Sequence, residues 1–519
     1  MTETVTGRNR SAGIAYSQLL DDDTHPVTDA LRAESPMDPG NLYVDASRYY
    51  SKAFHDLEVE KLWSRVWQLA CHEDEIPNVG DYHRYDIAHL SFLIVRTGPG
   101  PEEIKAYRNA CLHRARLLRD ADGKGAKSLR CPFHGWNWNL DGTIKEIPCE
   151  WDFGDVSRSE LSLPQARVGR WQGMIFINPD REAAPLSEFL AGLEDHFSPL
   201  PYSRKFKAVH VAKVIRCNWK VLQEAFMESY HVIATHATLL DSIGDANSAY
   251  DVFGNFSRAV SPNGLASPHL ENMPSYPQPE DARLYSKFRH PLNGHLYERE
   301  NAGLVRVTDG KGNTSTFTDR GEWIEGPLTQ ADPHLCVWIG GKQLGDVDDP
   351  SPNLPEPPEG MTRRAYMAEL EREKIRARYG DTVDVDSVAD AEFVDSLYFS
   401  VFPNWHPWGS FNAINYRFRP NGSNPDEAIM EVMLFVPSPG GENRPPPAKV
   451  HWLGVDDDWT EAPELGQLAM IFNQDVHNLP KVQEGLKAQE QQRVIFGSYN
   501  ETKIRHFYRM LERQLDLGD

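Results

Sequence analysis

NACLHRARLLR at residues 109–119 and CPFHGWNWNLDG at 131–142 decide how the rest of the chain is read. Each sets a cysteine and a histidine on a short loop: Cys111-Leu-His113, then seventeen residues, then Cys131-Pro-Phe-His134. Two thiolates can hold one iron of a [2Fe–2S] cluster while two neutral imidazoles hold the other, which makes the cluster less anionic and raises its potential. Gly135 and the loop residues can direct backbone N–H groups at the sulfurs, a further lever on potential. A tetrahedral zinc site accepts the same four ligands, but its finger pattern groups cysteines together and histidines together on a helix. Here Cys and His alternate within a strand-rich stretch. DYHRYDIAHLSFLIVRTG reads as two strands, EIKAYRN and RWQGMIFINPD supply more, and Asp141–Gly142 is a hairpin turn.

A second group of metal-binding side chains follows in NWKVLQEAFMESYHVIATHATLL, which has helical spacing. His231 and His236 stand five residues apart, an offset of about 140° on an ideal helix, so local distortion is implied if both face one metal. Two imidazoles and one carboxylate form the facial triad of non-haem Fe(II) oxygenases, with adjacent positions open. The candidate carboxylate is Asp475 in MIFNQDVHNLPKVQEGLKA, a segment of helical spacing that opens on apolar residues. His477 is a weaker competitor for the same role. Cys71-His72 has no second half nearby and is set aside.

The two loops resemble the signature of the Rieske ring-hydroxylating oxygenases, with Ala115 where that family commonly has glycine. NWK…E-x-Y-H-x₄-H and the Gln-Asp before Val476 resemble the family's iron-binding motifs. The resemblance runs over roughly 45–240 and 395–490. It implies a [2Fe–2S] cluster on Cys111, His113, Cys131 and His134, and a mononuclear Fe(2+) on His231, His236 and Asp475. It also implies that Glu228, where the family usually has Asp, bridges a cluster histidine of one subunit to an iron histidine of its neighbour. O₂ is then the co-substrate, and electrons come from NAD(P)H through separate ferredoxin or flavin reductase proteins. The assembly implied is a homotrimer, or an α3β3 complex with a small β subunit. The implied substrate is a small hydrophobic, aromatic molecule that is hydroxylated; oxidative N- or O-demethylation, or hydroxylation of a non-aromatic substrate, is the alternative. Phe402, Trp405, Trp408 and Met227 are candidate pocket walls, with core packing the blander reading of each. An electron carrier with an appended binding domain, or a zinc-stabilised module, would each lack the mononuclear iron.

At 519 residues the chain calls for two or more domains. The formal charge of −22 opposes a nucleic-acid partner. No apolar run reaches the roughly 18 residues of a membrane span, and the start has no signal-like apolar core. Six sparse cysteines suit a reducing, cytoplasmic setting. The expected class is α+β: an all-β Rieske domain inserted near the N-terminus of a helix-grip catalytic domain, an antiparallel sheet with helices. Expected boundaries are a flexible arm over 1–40, the Rieske domain over 41–180 with a leading helix that can pack on the catalytic domain, and the catalytic domain over 181–519. Within the last, 240–358 reads as a long insertion or lid.

Overall fold

The computed structural model describes residues 15–36, 40, 42–345, 356–438 and 444–518. Two sheets carry the architecture. The first has six strands in the order Gln68–His72, Met174–Asn178, Gln165–Trp171, Ile104–Arg108, Leu90–Arg96 and Tyr82–Ile87, with antiparallel pairing throughout. A three-stranded sheet (Leu129–Arg130, Asn137–Trp138, Ile144–Glu146) stands beside it and carries the second Cys/His loop. Gly142 closes the expected turn at φ +86°.

The second sheet has eight strands, running from Ala249–Phe253 and Phe256–Ser261 at one edge to Lys205–Ile215 and His451–Leu453 at the other. Asn424–Pro437 pairs antiparallel with both Ile414–Asn421 and Lys205–Ile215, while His451–Leu453 joins in parallel. Leu468–Ala488 and Thr502–Leu515 are the two closing helices. One apolar core runs through both sheets, including Phe92, Ile94 and Ile175 with Val432, Phe472 and Leu511.

A buried ionic cluster also fastens the sheets together. Glu431 accepts from Arg417 Nε and Nη2 and from Arg419 Nε, each at 2.7 Å. Arg417 Nη1 then donates to the carbonyls of Leu69 and Ala70, at 2.9 and 2.7 Å, and Arg419 donates to the carbonyl of Asp86. Paired arginines thus satisfy strand carbonyls of the first sheet from the second.

Three expectations change. The first is the flexible arm over 1–40, whose residues 1–14 and 37–39 lie outside the described residues. Over 15–36 the chain is folded: helices Tyr16–Asp21 and Asp29–Arg32 bury Tyr16, Leu19, Leu20 and Leu31 in a core that takes residues from both sheets, among them Leu69 and Phe176 with Phe256 and Phe399. The i, i+3, i+4 apolar spacing at 16, 19 and 20 gives the helix one buried face. Buried Arg258, paired with Asp251, takes the carbonyls of Ala30, Leu31 and Ala33 as acceptors.

The second concerns the start of 41–180, where the strand Tyr43–Asp45 pairs with Arg493–Ile495 near the C-terminal helix; the leading helical stretch 52–63 packs on the catalytic unit, the placement the sequence reading allowed for it, through Trp63 against Trp219 and Glu58 against Lys220. The third is 240–358, which is not a single insertion. Ala249–Phe253 and Phe256–Ser261 are strands of the eight-stranded sheet itself. Five further strands from Lys287–Arg289 to Trp323–Glu325 form a separate antiparallel meander, followed by the helix Pro333–Gly340. Short, polar strands with one buried face hide their alternation among turn residues. Among the described residues, no helix is long and apolar enough to cross a membrane.

Candidate metal centres

The two Cys/His loops fold as near copies. Cys111 N–H donates to Arg116 O and Ala115 N–H to Cys111 O, both at 2.9 Å. Equivalently, Cys131 N–H donates to Trp136 O at 2.7 Å and Gly135 N–H to Cys131 O at 3.1 Å. Gly135 therefore directs its N–H at a carbonyl; at Cys111 it is the N–H groups of His113 and Arg114 that point to the thiol. The turn requires a left-handed residue, Gly135 at φ +80° and Ala115 at φ +56°. Ala115 thus adopts without glycine the conformation glycine favours.

Cys111 and Cys131 are buried and adjacent, while His113 and His134 stand outside them with ring centroids 4.6 Å apart. His113 stacks on Trp136 at 5.3 Å, which fixes its plane. Its Nδ1 is buried without a hydrogen-bond partner. An orphaned ring nitrogen beside two thiols is the donor set a [2Fe–2S] cluster takes up, and these residues fit it. Leu112 and Phe133 project into solvent at the loop tips.

The helical spacing read over 218–240 is broken in two. Asn218 caps Trp219–Glu224, and a second short helix spans Val232–Thr235. Between them Glu228 does the capping: its Oε2 accepts from His231 N–H at 3.0 Å and its Oε1 from His231 Nδ1–H at 2.7 Å. Ser229 bonds the hydroxyls of Ser248 and Tyr250, at 2.7 and 2.8 Å. Side-chain partners replace the backbone ladder, and the break brings His231 and His236 to one side.

His236 Nδ1–H donates to Gln474 Oε1 at 2.9 Å. Both imidazoles are thus held by Nδ1, leaving the two Nε2 atoms toward Asp475. Asp475 Oδ1 lies 2.8 Å from His236 Nε2 and 3.7 Å from His231 Nε2, and the three ligand atoms all lie within 4.8 Å of one another. Ligands about 2.1 Å from a metal sit about 3 Å apart at right angles, so the set fits one ion. Burial opposes charge on His231, but Glu228 and then Asp475 outweigh it and raise its pKa to about 9. The pocket is anionic, as a divalent cation requires.

His477 lies outside this set, its ring 5.6 Å from that of His334. Trp405 and Phe402 are core residues, Trp405 against Trp171, Phe176 and Tyr202, and Phe402 against Phe507. Met227 is buried in the main core, and Trp408 packs on Tyr398 and Tyr416. Phe226, Tyr416, Phe418 and Phe472 pack on one another, Phe472 standing three residues before Asp475 on the same helix. Burial, and then Asp475, push the Tyr416 phenol up. The sequence reading assigned Gln474 no chemistry; the residue entered only as the neighbour of Asp475 in the Gln-Asp pair.

Comparison with known proteins places these features. Residues 66–156 match the Rieske [2Fe-2S] domain, and 201–296 with 340–517 match the ring hydroxylating alpha subunit (catalytic domain). Among curated relatives, the biphenyl 2,3-dioxygenase alpha subunit of Rhodococcus jostii (strain RHA1) is 32% identical over 198 residues, 37% of this chain and 43% of the relative. Chloroplastic choline monooxygenase of Beta vulgaris is 29% identical over 206 residues, 38% of this chain and 45% of the relative. The chain thus spans under half the length of these relatives. In fold, naphthalene 1,2-dioxygenase with indole bound aligns at TM-score 0.54 and 18% identity, covering 91% of this chain and 92% of the other. The quaternary ammonium monooxygenase CntA with L-carnitine aligns at 0.52 and 14% identity, covering 93% and 99%. With its catalytic-domain match extending over more than half of the sequence, behind a Rieske [2Fe-2S] domain, the chain belongs to the ring-hydroxylating oxygenase alpha-subunit family.

Proposed function

We propose that the protein is a terminal oxygenase that takes electrons through Cys111, His113, Cys131 and His134 and spends them on O₂ beside His231, His236 and Asp475, hydroxylating an aromatic substrate. The observation that carries this is the convergence of His231 Nε2, His236 Nε2 and Asp475 Oδ1 in a chain that also holds the paired Cys/His loops. A [2Fe–2S] cluster supplies electrons one at a time, and ferrous iron on a facial triad supplies dioxygen activation.

The chain's own residues set the conditions. Glu228 and Gln474 fix the two imidazole tautomers, so both Nε2 atoms stay available to metal. Phe226, Tyr416 and Phe472 give the site an apolar side suited to a hydrophobic substrate. Tyr230 is exposed next to Glu228, which leaves this face open to a neighbouring subunit. Glu228 there bridges His231 to a cluster histidine of that neighbour, in a trimer or an α3β3 assembly fed by ferredoxin or flavin reductase proteins. The domain division is a Rieske unit within 66–180 and a catalytic unit built from the remainder. The chain's likeness to choline monooxygenase and to CntA favours a second reading, oxidation of a non-aromatic substrate at the same site.

Replacing His231 with Ala abolishes turnover while leaving the visible spectrum of the cluster unchanged. Turnover that survives refutes the iron-site assignment. Aromatic compounds that stimulate O₂ uptake, with reductase and ferredoxin supplied, decide between the two substrate classes.

A further inference from the structure

Residues 297–339 fall between the matched stretches of the catalytic-domain family, yet they fold into most of the five-stranded meander and the helix Pro333–Gly340. This module has its own core, containing Tyr297, Val305, Val307, Phe317, Leu335 and Ile339. Among the described residues, Met470, on the helix that carries Asp475, is the buried residue of that core contributed from outside the meander and its helix.

The contact continues along the same helix face at intervals of four. Gln474 Nε2 donates to the His334 carbonyl at 3.0 Å, and Asn478 Nδ2 lies 2.9 Å from His334 Nε2. Helix Pro333–Gly340 is itself pinned. Asp332 caps it by accepting from Leu335 N–H at 2.8 Å, and Tyr297 Oη accepts from Asp332 N–H at 2.8 Å. Gln474 therefore has both ends of its amide committed: Nε2 to the module and Oε1 to His236 Nδ1–H. Fixing the donor end fixes which way the acceptor end points.

We propose that Gln474 is a positioning residue through which the inserted module governs metal affinity at the His231, His236 and Asp475 site. This rests on the iron-site reading above. The module's carbonyl holds the Gln474 amide, the amide holds the His236 tautomer, and the tautomer presents Nε2 to metal. Because coupling is reciprocal, metal binding must in turn stiffen the helix Pro333–Gly340.

The test uses cluster-loaded, iron-depleted full-length protein titrated with Co²⁺, with hydrogen exchange followed over residues 333–340. In the wild type, Co²⁺ binds and slows exchange in that helix. Gln474→Leu removes both bonds; Co²⁺ affinity falls about 10–100-fold, the range for lost outer-shell partners, and the protection of 333–340 disappears. Gln474→Glu keeps an acceptor for His236 but loses the donor to His334 that fixes it, so Co²⁺ binds more weakly than in the wild type and without protecting 333–340. Undiminished affinity in Gln474→Leu, or retained protection in either variant, overturns the proposal. If Gln474→Leu lacks the cluster's visible spectrum, Gln474→Glu decides alone. A wild type that takes up no Co²⁺ overturns the iron-site reading itself.

Discussion

Glu431→Gln removes one negative charge from a buried carboxylate that fastens the two sheets together and changes almost nothing in size. Glu431 is 2% exposed and accepts three guanidinium bonds at 2.7 Å, with His210 Nε2 at 3.2 Å. The substitution leaves Arg417 and Arg419 enclosed without their anion while they still face the carbonyls of Leu69, Ala70 and Asp86. Breaking a buried pair in this way costs about 3–5 kcal/mol. Burial opposes charge on Glu431, but Arg417 and Arg419 override it and hold its pKa well below the ordinary 4.5. A depressed acid contributes its stability above the unfolded value and loses it as pH falls toward the folded one. The difference between wild type and variant is therefore full at pH 7 and narrows below about pH 4.5. Urea unfolding, followed by tryptophan fluorescence and by cluster absorbance, measures it. A loss under about 1 kcal/mol at pH 7, or a gap that widens in acid, refutes the reasoning.

Glu224 provides the opposite sign: withdrawal from water, against the phenols of Tyr49 and Tyr508 that donate to it, raises its pKa to about 8. Folding then favours its protonated form, and stability falls as pH rises from 4.5 to about 8. Glu224→Gln, which retains an acceptor oxygen for both phenols, flattens that part of the stability–pH curve; an unchanged slope contradicts this. At Ala115, φ +56° is strained for an L-residue, so Ala115→Gly raises the melting temperature, by an amount corresponding to about 1 kcal/mol, with the cluster spectrum unaltered. A lower melting temperature would show that the loop gains more from alanine's stiffness than it loses in strain.

The ligands were legible because their chemistry is local in sequence. Cys111, His113, Cys131 and His134 announce a site by type and spacing, and the strands around them alternate clearly. The bend that unites His231 with His236 was legible only as a necessity, since the bonds that make it run to Ser248, Tyr250 and Glu228 and not along a helical period. The N-terminal segment looked polar because its acidic run and prolines mask the short apolar spacing of Tyr16, Leu19 and Leu20. Its order depends on Arg258 and Asp395, more than two hundred residues away. The meander hid for the same reason: each strand is too short to show a period of two above the turns that flank it. Gln474 carried no signal of its own, because its partner is a backbone carbonyl contributed by another element.

The central claim is that one chain houses a two-iron sulfur cluster and a separate single iron. Iron and acid-labile sulfide, counted per chain in protein purified and reconstituted without oxygen, test it most directly. The account predicts three irons to two sulfides with the red-brown absorbance of a Rieske centre, falling to two irons in the His231→Ala variant. A colourless protein containing zinc, or a wild type that holds only two irons, would contradict it.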